Sequence, residues 1–483
     1  MRIPLLRPFA AALPALCLAS NLVWPVPAQA DPEADAAAAP QSITAATLPG
    51  TAAPQAVTPP ADAVTVTWDQ AVSQALQHNP ALASARLAVK QAEEGVTIAD
   101  AGYYPSLNAT AGISRTETQA LSPLAVVGLG NGQTAYGTGY SGGLQASWNL
   151  FNGFGSYFAA VHARQLLAQA KAQYATASAT LLLNLRMAFN QLLYDQKNVV
   201  LLKQISDRYH KDTLYEQLEF QSGQTARWTF LKSQSDEASF NWSLHQNDLN
   251  LKADQANLAN FMGQDPSTAG NLAVDGTMAS DVPPDEDAQD WARIARTHPS
   301  VVAQQALVEV NRANLGQQYA VLYPSLNAQA SAGYSGGDTW GPDEFQATGS
   351  LNLSFNLFNG GGNLAAVHQA QAQLDGSRQD LQTLLNQLRA GLDKAWATYK
   401  ADVDRLPTTV MATKAGAERF ETVGILYTAG RDQYLDYEQA EQIYTSAQQQ
   451  ELSDRMAAAQ AEAGYQNALG LGLEDIQSTS AVK

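Results

Sequence analysis

Two short stretches of this sequence carry a pattern typical of catalytic machinery. GYSGG occurs at residues 139–143 and again at residues 333–337. Both copies fit G-x-S-x-G, the sharp turn that presents the nucleophilic serine of many hydrolases. The first copy also lies within GTGYSG, residues 137–142, which fits the G-x-G-x-x-G pattern of dinucleotide-binding loops. Both chemistries need a helix directly after the glycines, so the neighbouring elements decide whether either applies.

The other residues capable of chemistry do not combine into a site. The six histidines are not spaced as metal ligands, and the single cysteine, Cys17, lies in the N-terminal segment. The chain has 28 basic and 45 acidic residues and a formal net charge of −17, so it lacks the basic surface that nucleic acid requires. We therefore expect no metal ion, no cofactor, no enzymatic activity and no nucleic-acid partner.

Residues 1–30 have the organisation of a secretory signal peptide, in which two arginines precede an apolar run that ends in the cleavage pattern AQA. Leu16 stands where a lipoprotein signal needs a small residue before its cysteine, so we expect no N-terminal lipidation. Residues 31–63 are rich in Ala, Pro and Thr, which predicts a disordered leader. No run of about 18 apolar residues follows, so any membrane-spanning part must consist of strands.

The chain repeats its own order of motifs, which predicts an internal tandem duplication. The first half carries extra residues between its second and third motifs, and this difference locates a surface loop there. The matching pairs are HNPAL with THPSV (78–82 and 297–301), YYPSLNATAG with LYPSLNAQAS (103–112 and 322–331) and WNLFNGFG with FNLFNGGG (148–155 and 355–362).

Four segments alternate between apolar and small polar residues, and each is about ten residues long, enough to cross a bilayer as a tilted strand. The expected strands are about 103–116, 140–151, 322–335 and 345–358. Aromatic residues collect at their ends, as in a transmembrane barrel with interfacial aromatics: Tyr103, Tyr104, Trp148, Phe151, Tyr323, Phe355 and Phe358. A half-buried sheet of a soluble protein alternates in the same way, and alternation alone leaves both readings open.

The two GYSGG copies flank these strands instead of preceding helices. We expect the first copy to end the loop of the first hairpin and the second copy to begin the loop of the second hairpin. Neither a nucleophilic serine nor a dinucleotide loop fits that context.

Between the strand pairs the chain predicts very long helices, at about 154–221 and 361–428, each followed by a return helix at about 225–263 and 432–469. Apolar residues at steps of three and four predict a coiled-coil seam in each long helix, and Pro407 is expected to kink the second. A soluble periplasmic coiled-coil structural or adaptor protein is the alternative, although it leaves the four strands unexplained. Four strands cannot close a barrel in lipid, whereas three chains would supply twelve.

The ordered set of motifs resembles the TolC-like outer-membrane efflux proteins, the outer membrane factors of tripartite efflux or type I secretion systems. The resemblance covers about residues 64–475. It rests on Asn79-Pro80 and His298-Pro299, the two YPSLNA segments, the two LFNG segments and the glycine turns FQSG and YTAG. The expected division is a first repeat (64–270), an inter-repeat equatorial segment (271–286), a second repeat (287–475) and a C-terminal tail (476–483).

The resemblance implies a mixed α and β membrane protein: a trimeric 12-stranded transmembrane β-barrel with four strands per chain, continued by a long α-helical coiled-coil barrel. It implies a passive exit duct in the outer membrane of a Gram-negative bacterium, extending into the periplasm and passing small molecules or polypeptides. The implied partners are two further copies of the chain, outer-membrane lipid, a periplasmic adaptor (membrane fusion) protein and an inner-membrane transporter of the RND or ABC type.

The resemblance also implies that the glycine turns form a periplasmic gate. The candidates at these turns are Phe220 and Gly223 in the first half and Tyr427, Gly430, Arg431, Asp432 and Asp436 in the second. Thr229 and Gln439 stand where the family has acidic residues, so the resemblance does not identify which residues close the gate. We expect Asp432 and Asp436 to share one helix face and to form a cation-binding ring in a trimer, unless they belong to an ordinary solvated face.

Overall fold

A computed structural model describes most of the chain beyond the expected leader. The described residues are 64–120, 133–267, 272–278, 283–284, 290–337 and 344–475. The chain divides into two units, residues 1–58 and 59–483, and all described residues belong to the second. The expected signal peptide, leader and C-terminal tail therefore lie outside the described residues, as does part of the expected inter-repeat segment.

Helices make up most of the described chain. Two shorter helices, two strands, a very long helix and a return helix follow one another in that order, and this order occurs twice. The described helices contain no stretch long and apolar enough to cross a membrane. We number them α1 (Trp68–His78), α2 (Pro80–Ala101), α3 (Gly155–Gln221), α4 (Arg227–Met262), α5 (Trp291–Thr297), α6 (Pro299–Ala320), α7 (Gly362–Thr428) and α8 (Tyr434–Ala468).

The two longest helices, α3 and α7, contain 67 residues each. At ~1.5 Å per residue, each is about 100 Å long. The buried residues Leu181, Leu185, Ala188 and Leu192 of α3 have the alternating spacing of a coiled-coil seam. Helix α7 is continuous through Pro407, which removes one backbone hydrogen bond from that helix.

Each return helix ends against the break between the two shorter helices of its own half. Asn79 caps α2 and donates from Nδ2 to the carbonyl oxygen of Phe261 at 2.8 Å, near the end of α4. Gly263 follows α4 with a φ of 77°, and a Cβ there would lie 2.3 Å from the carbonyl oxygen of His78. Gly470 follows α8 with the same φ, and its Cβ would lie 2.7 Å from the proline ring that starts α6. Only glycine fits such a close approach in the left-handed region.

The larger hydrophobic core lies where α1, α3 and α4 meet a short parallel pair of strands, β1 (Val64–Val66) and β4 (Leu272–Val274). Burial of each large apolar side chain contributes about 1.5–3 kcal/mol, so this cluster stabilises the middle of α3 against the neighbouring elements. Its fully buried members include Leu82, Leu185, Leu192, Leu258, Met262 and Leu473.

The four longer strands form one antiparallel sheet in the order β2-β3-β5-β6. They are β2 (Ser106–Ala120), β3 (Gln133–Asn152), β5 (Ser325–Gly336) and β6 (Glu344–Ser354). The pairing of β3 with β5 joins the two halves of the chain, and β2 and β6 form the edges of the sheet.

The strand bounds differ from the sequence-based expectation. Strands β2 and β3 reach four and seven residues further into their hairpin, to residues 120 and 133. Strand β6 ends at Ser354 instead of 358, so Phe355 and Phe358 follow it. The ladder between β2 and β3 explains why these two strands are longer than expected, because polar residues such as Thr116 and Glu117 still pair across it.

The expectation that the GYSGG copies lie in loops is wrong. Residues 139–143 lie within β3, residues 333–336 lie within β5, and Ser141 pairs directly with Ser335. Glycine lets the two strands approach closely here, since a Cβ on Gly143 would lie 3.2 Å from the Cα of Gly333. Both serines lie within paired strands, so neither a nucleophile turn nor a dinucleotide loop is formed.

Residues paired across an antiparallel ladder point to the same face of a sheet, so the register defines the two faces. Both faces are continuous across all four strands. One, the apolar face, includes the rows Leu107–Ala146–Ala330–Gly349 and Ala109–Leu144–Ala332–Ala347. The other, the polar face, includes the rows Ser106–Ser147–Gln329–Ser350 and Asn108–Gln145–Ser331–Thr348.

Candidate functional site

Two tight turns, which we call the tip turns, join the long helices to the return helices at residues 222–226 and 429–433. Gly223 and Gly430 adopt φ values of 74° and 71°, the left-handed conformation that ends many helices. The residue after each glycine donates its backbone N–H to a carbonyl five residues earlier, with Arg431 bonded to Leu426 at 2.9 Å. These turns reverse the chain and place α3 beside α4 and α7 beside α8.

Tyr427, in the last turn of α7, joins the two helical hairpins. Its hydroxyl donates to Oε1 of Glu216, a carboxylate on α3 that is 1% exposed. Its ring stacks on Tyr437 of α8 with centroids 5.1 Å apart, and it meets Tyr215 of α3 edge-on at 5.8 Å. Tyr427 therefore lies in the contact between α3, α7 and α8.

A second link joins α3 directly to α8. The hydroxyl of Tyr437 donates to Oδ1 of Asp212 at 2.9 Å. One turn earlier on α3, Nη2 of Arg208 donates to Oγ1 of Thr445 at 3.1 Å, and Nε of Arg208 lies 3.6 Å from Oε1 of Glu441. That distance is too long for a hydrogen bond between Arg208 and Glu441.

A third link joins α4 to α8. Nζ of Lys232 lies 2.5 Å from Oε1 of Glu438 and 2.6 Å from Oδ2 of Asp236. We call the charged residues and tyrosines that make contacts between the two helical hairpins the tip network. Its members are Arg208, Asp212 and Glu216 on α3, Lys232 on α4, Tyr427 on α7, and Tyr437, Glu438 and Glu441 on α8.

Burial sets the electrostatics of the tip network. Burial and then the neighbouring Asp212 carboxyl raise the pKa of Glu441 to about 8. Burial also raises the pKa values of Asp212 and Glu216, against the hydrogen bonds from Tyr437 and Tyr427 that lower them. The network therefore holds three carboxyl groups with raised pKa values beside the single guanidinium of Arg208.

Lys232 behaves differently because it has two acidic partners. Burial lowers the pKa of its ammonium group, but the hydrogen bonds that it donates to Asp236 and Glu438 outweigh that effect and raise the pKa overall. Lys232 is 40% exposed, so water screens this link more than the two links made by the tyrosines.

The acidic pair predicted from sequence is not arranged as expected. Asp432 lies before α8, in the tip turn, where its Oδ1 accepts the backbone N–H of Gln433 at 3.1 Å. Asp436 is exposed in the first turn of α8. The expectation that the two share a helix face is wrong, because α8 begins only at Tyr434.

The remaining tip candidates have local roles in the described residues. Phe220 stacks on Phe230 at 5.9 Å and so packs α3 against α4. Arg431 is exposed in its turn. Thr229, found where an acid was expected, is buried and donates to the carbonyl of Ala226, closing the first turn of α4.

Sequence reasoning found Tyr427 but missed the α3 residues of the tip network. Arg208, Asp212 and Glu216 are spaced by four residues, which places them on one face of α3, and this spacing was the available signal. It could not identify α8 as the facing surface, because contacts between helices some 200 residues apart depend on the tertiary fold.

The aromatic residues predicted at the strand ends lie around one end of the sheet. Nε1 of Trp148 donates to the carbonyl oxygen of Tyr103 at 3.0 Å, and Phe151 meets Phe154 edge-on at 5.5 Å. Five others are exposed between the strands and the neighbouring helices: Tyr103, Tyr104, Tyr323, Phe355 and Phe358.

Comparisons with known proteins agree on one group. The family model for outer membrane efflux proteins matches residues 71–264 and 293–471. Outer membrane efflux protein BepC of Brucella suis is 22% identical over 349 residues, 70% of this chain and 71% of BepC.

Two solved structures show the same fold. The CmeC outer membrane channel of Campylobacter jejuni is 17% identical, with a TM-score of 0.73 over 86% of this chain and 88% of CmeC. The MtrE outer membrane channel of Neisseria gonorrhoeae, solved in its open state, is 18% identical, with a TM-score of 0.69 over 84% of this chain and 89% of MtrE.

Proposed function

This chain belongs to the outer membrane efflux protein family, and from that premise we propose that it is the passive exit duct of a tripartite export system. Members of the family are TolC-like channels of the Gram-negative outer membrane and not enzymes. In our proposal, an inner-membrane transporter of the RND or ABC type supplies the energy. A periplasmic adaptor protein connects that transporter to the tip turns, and small molecules or polypeptides leave through the duct.

We propose that three copies close one twelve-stranded barrel. Strands β2 and β6 are the open edges of the four-stranded sheet, and unpaired backbone groups are not tolerated in lipid. The apolar face carries exposed leucines, including Leu107, Leu144 and Leu351, which suit contact with lipid. The polar face would then line the lumen, and the aromatic residues at the strand ends would lie at the interface with the headgroups.

Cross-linking between the sheet edges tests this assembly. The only cysteine, Cys17, lies in the expected signal peptide, so introduced cysteines give a clean signal. Cysteines placed in turn along β2 of a chain with Leu351→Cys in β6 should yield covalent dimers and trimers on oxidation. The matched control pairs Ala146→Cys with Ala330→Cys, facing positions of β3 and β5, and should stay monomeric. An absence of inter-chain products at every β2 position would contradict the closed barrel.

We propose that the tip network is the latch of a periplasmic gate, and its three links between the two helical hairpins are the observation that carries this proposal. Opening would separate α7 and α8 from α3 and α4, which these links oppose. The open state of MtrE supports the idea that channels of this fold adopt more than one state.

We also propose that the two tip turns, including Gly223, Gly430 and Arg431, form the narrow end of the duct. Asp432 and Asp436 would each appear three times around that end and attract cations. Neutralising both with asparagine should weaken cation block in single-channel recordings. Unchanged block would show that neither carboxylate lines the pore.

We propose that the chain is exported by its signal peptide, is not lipidated and arose by tandem duplication. The alternative function is that of a soluble periplasmic coiled-coil protein. Fractionation distinguishes the two, since a duct is recovered with the outer membrane, whereas recovery only in the soluble periplasmic fraction would refute the proposal.

A further inference from the structure

Two carboxyl groups of the tip network face each other across the contact between α3 and α8. Glu441 is 2% exposed, and its Oε1 has no hydrogen-bond donor among the described residues. Oδ2 of Asp212 is also buried and without a donor, while Oδ1 receives the hydroxyl of Tyr437. The two carboxyl groups lie within hydrogen-bonding reach of each other.

One proton shared between the two groups supplies a hydrogen-bond donor that the pair otherwise lacks. A protonated carboxyl of Glu441 donates to a carboxylate of Asp212, whereas two carboxylates in contact repel each other and leave both oxygens unpaired. Buried polar atoms are nearly always paired in native proteins, so the shared proton is the arrangement that the geometry favours.

The surrounding charges do not compensate a second carboxylate. Arg208 is the nearest cation, with Nε 3.6 Å from Oε1 of Glu441, and its one positive charge can balance only one of two carboxylates. Its Nη2 donates to two neutral oxygens, Oγ1 of Thr445 at 3.1 Å and Oε1 of Gln448 at 3.3 Å. Lys211 is exposed on α3, and Lys232 is bound by Asp236 and Glu438.

The other groups that face the pair are acidic or neutral. From α3 come Tyr209 and Glu216, while Asp236 of α4 is bound to Lys232. From α8 come Tyr434 and Tyr437, and the Tyr437 ring contacts Phe420 and Tyr427 of α7. Glu438 of α8 is bound to Lys232. A second negative charge at the pair would therefore lie beside a third acidic group, Glu216, with Arg208 as the nearest cation.

We propose that Asp212 and Glu441 form a proton-binding site that holds the tip closed while one proton is shared, and that loss of this proton at alkaline pH releases α8 from α3. The inference rests on the proposed function, because it assigns a ligand, the proton, to the same latch. Burial of the pair raises the pKa of Glu441 to about 8, so we expect the proton to be lost at mildly alkaline pH. Acidification keeps the proton and keeps the gate closed.

Single-channel recording of the purified full-length protein tests the release. We expect the open probability of the wild type to rise about tenfold or more between about pH 6.5 and about pH 9, since a unit of pKa difference corresponds to about a tenfold change. Glu441→Gln and Asp212→Asn, which keep a donor and remove the second charge, should abolish this rise. Asp207→Asn, a matched change at an exposed position of α3, should keep the wild-type profile.

Infrared difference spectroscopy of the detergent-solubilised protein tests proton binding without any channel. The carbonyl band of protonated carboxyl groups should lose intensity between neutral and alkaline pH, and the part of this loss that comes from Glu441 should be missing from Glu441→Gln. That loss without conductance would contradict the proposed duct and leave the proton site standing. Conductance with no such loss, or with an unchanged pH profile in Glu441→Gln, would overturn the proton site.

Discussion

Removal of the two tyrosine hydroxyls of the tip network should open the gate. Tyr427→Phe and Tyr437→Phe each delete one hydrogen bond to a carboxyl group of α3 and keep the ring. The rings stay stacked, because their 5.1 Å contact does not involve the hydroxyls. Any effect therefore reports the hydrogen bonds between the hairpins and not the loss of packing.

The size of the effect follows from the kind of bond. A hydrogen bond to a charged group contributes about 1.5–3 kcal/mol, and the acceptor Glu216 is buried, so water does not replace the lost donor. If opening breaks these bonds, each variant should raise the ratio of open to closed channels about 10- to 100-fold, since about 1.4 kcal/mol corresponds to a factor of ten.

Open probability in planar bilayers is the appropriate assay. Tyr215→Phe is the matched control, because Tyr215 belongs to the same ring cluster but its hydroxyl faces Glu219 of its own helix. Its open probability should stay within about twofold of the wild type. Wild-type behaviour of both Tyr427→Phe and Tyr437→Phe would refute the argument that these bonds hold the tip closed.

Three further predictions concern separate regions of the chain. Gly263→Ala should lower the free energy of unfolding by more than about 2 kcal/mol, measured by denaturant titration, because a left-handed backbone and a backbone clash coincide there; Gly430→Ala, with the same backbone but open space, should cost about 1 kcal/mol. Ser141→Ala and Ser335→Ala should leave export unchanged in an efflux assay, since both serines lie in a paired strand. Stability should fall as pH rises from about 4.5 to about 8, because the folded state holds the proton of Glu441 more tightly than the unfolded state does, and Glu441→Gln should flatten this part of the profile.

The long helices and the turns that follow them could be predicted, because their sequence patterns are local. The seam from Leu181 to Leu192 and the turns at Gly223 and Gly430 depend on local spacing and backbone conformation, and these properties can be read from one segment. The ends of β2 and β3 could not be read in this way. Their polar ends are stabilised by pairing with each other, which local alternation does not reveal.

The candidate site was predicted only in part for the same reason. Tyr427 and the tip turns were found from the spacing around a glycine, whereas Asp212 and Glu441 matter only because α3 and α8 meet. The misplacement of Asp432 has a local cause: α8 begins two residues after it, and the Asp432 carboxylate bonds the backbone of the turn. A spacing of four residues indicates a shared face only when both residues are helical.

Single-channel recording of protein purified from the outer membrane tests the central claim most directly. A closed trimeric duct predicts discrete conductance steps that are small in the wild type and more frequent or larger in the Tyr427→Phe, Tyr437→Phe double variant. Bilayers that stay silent with both proteins, from preparations in which cross-linking detects no trimer, would contradict the account.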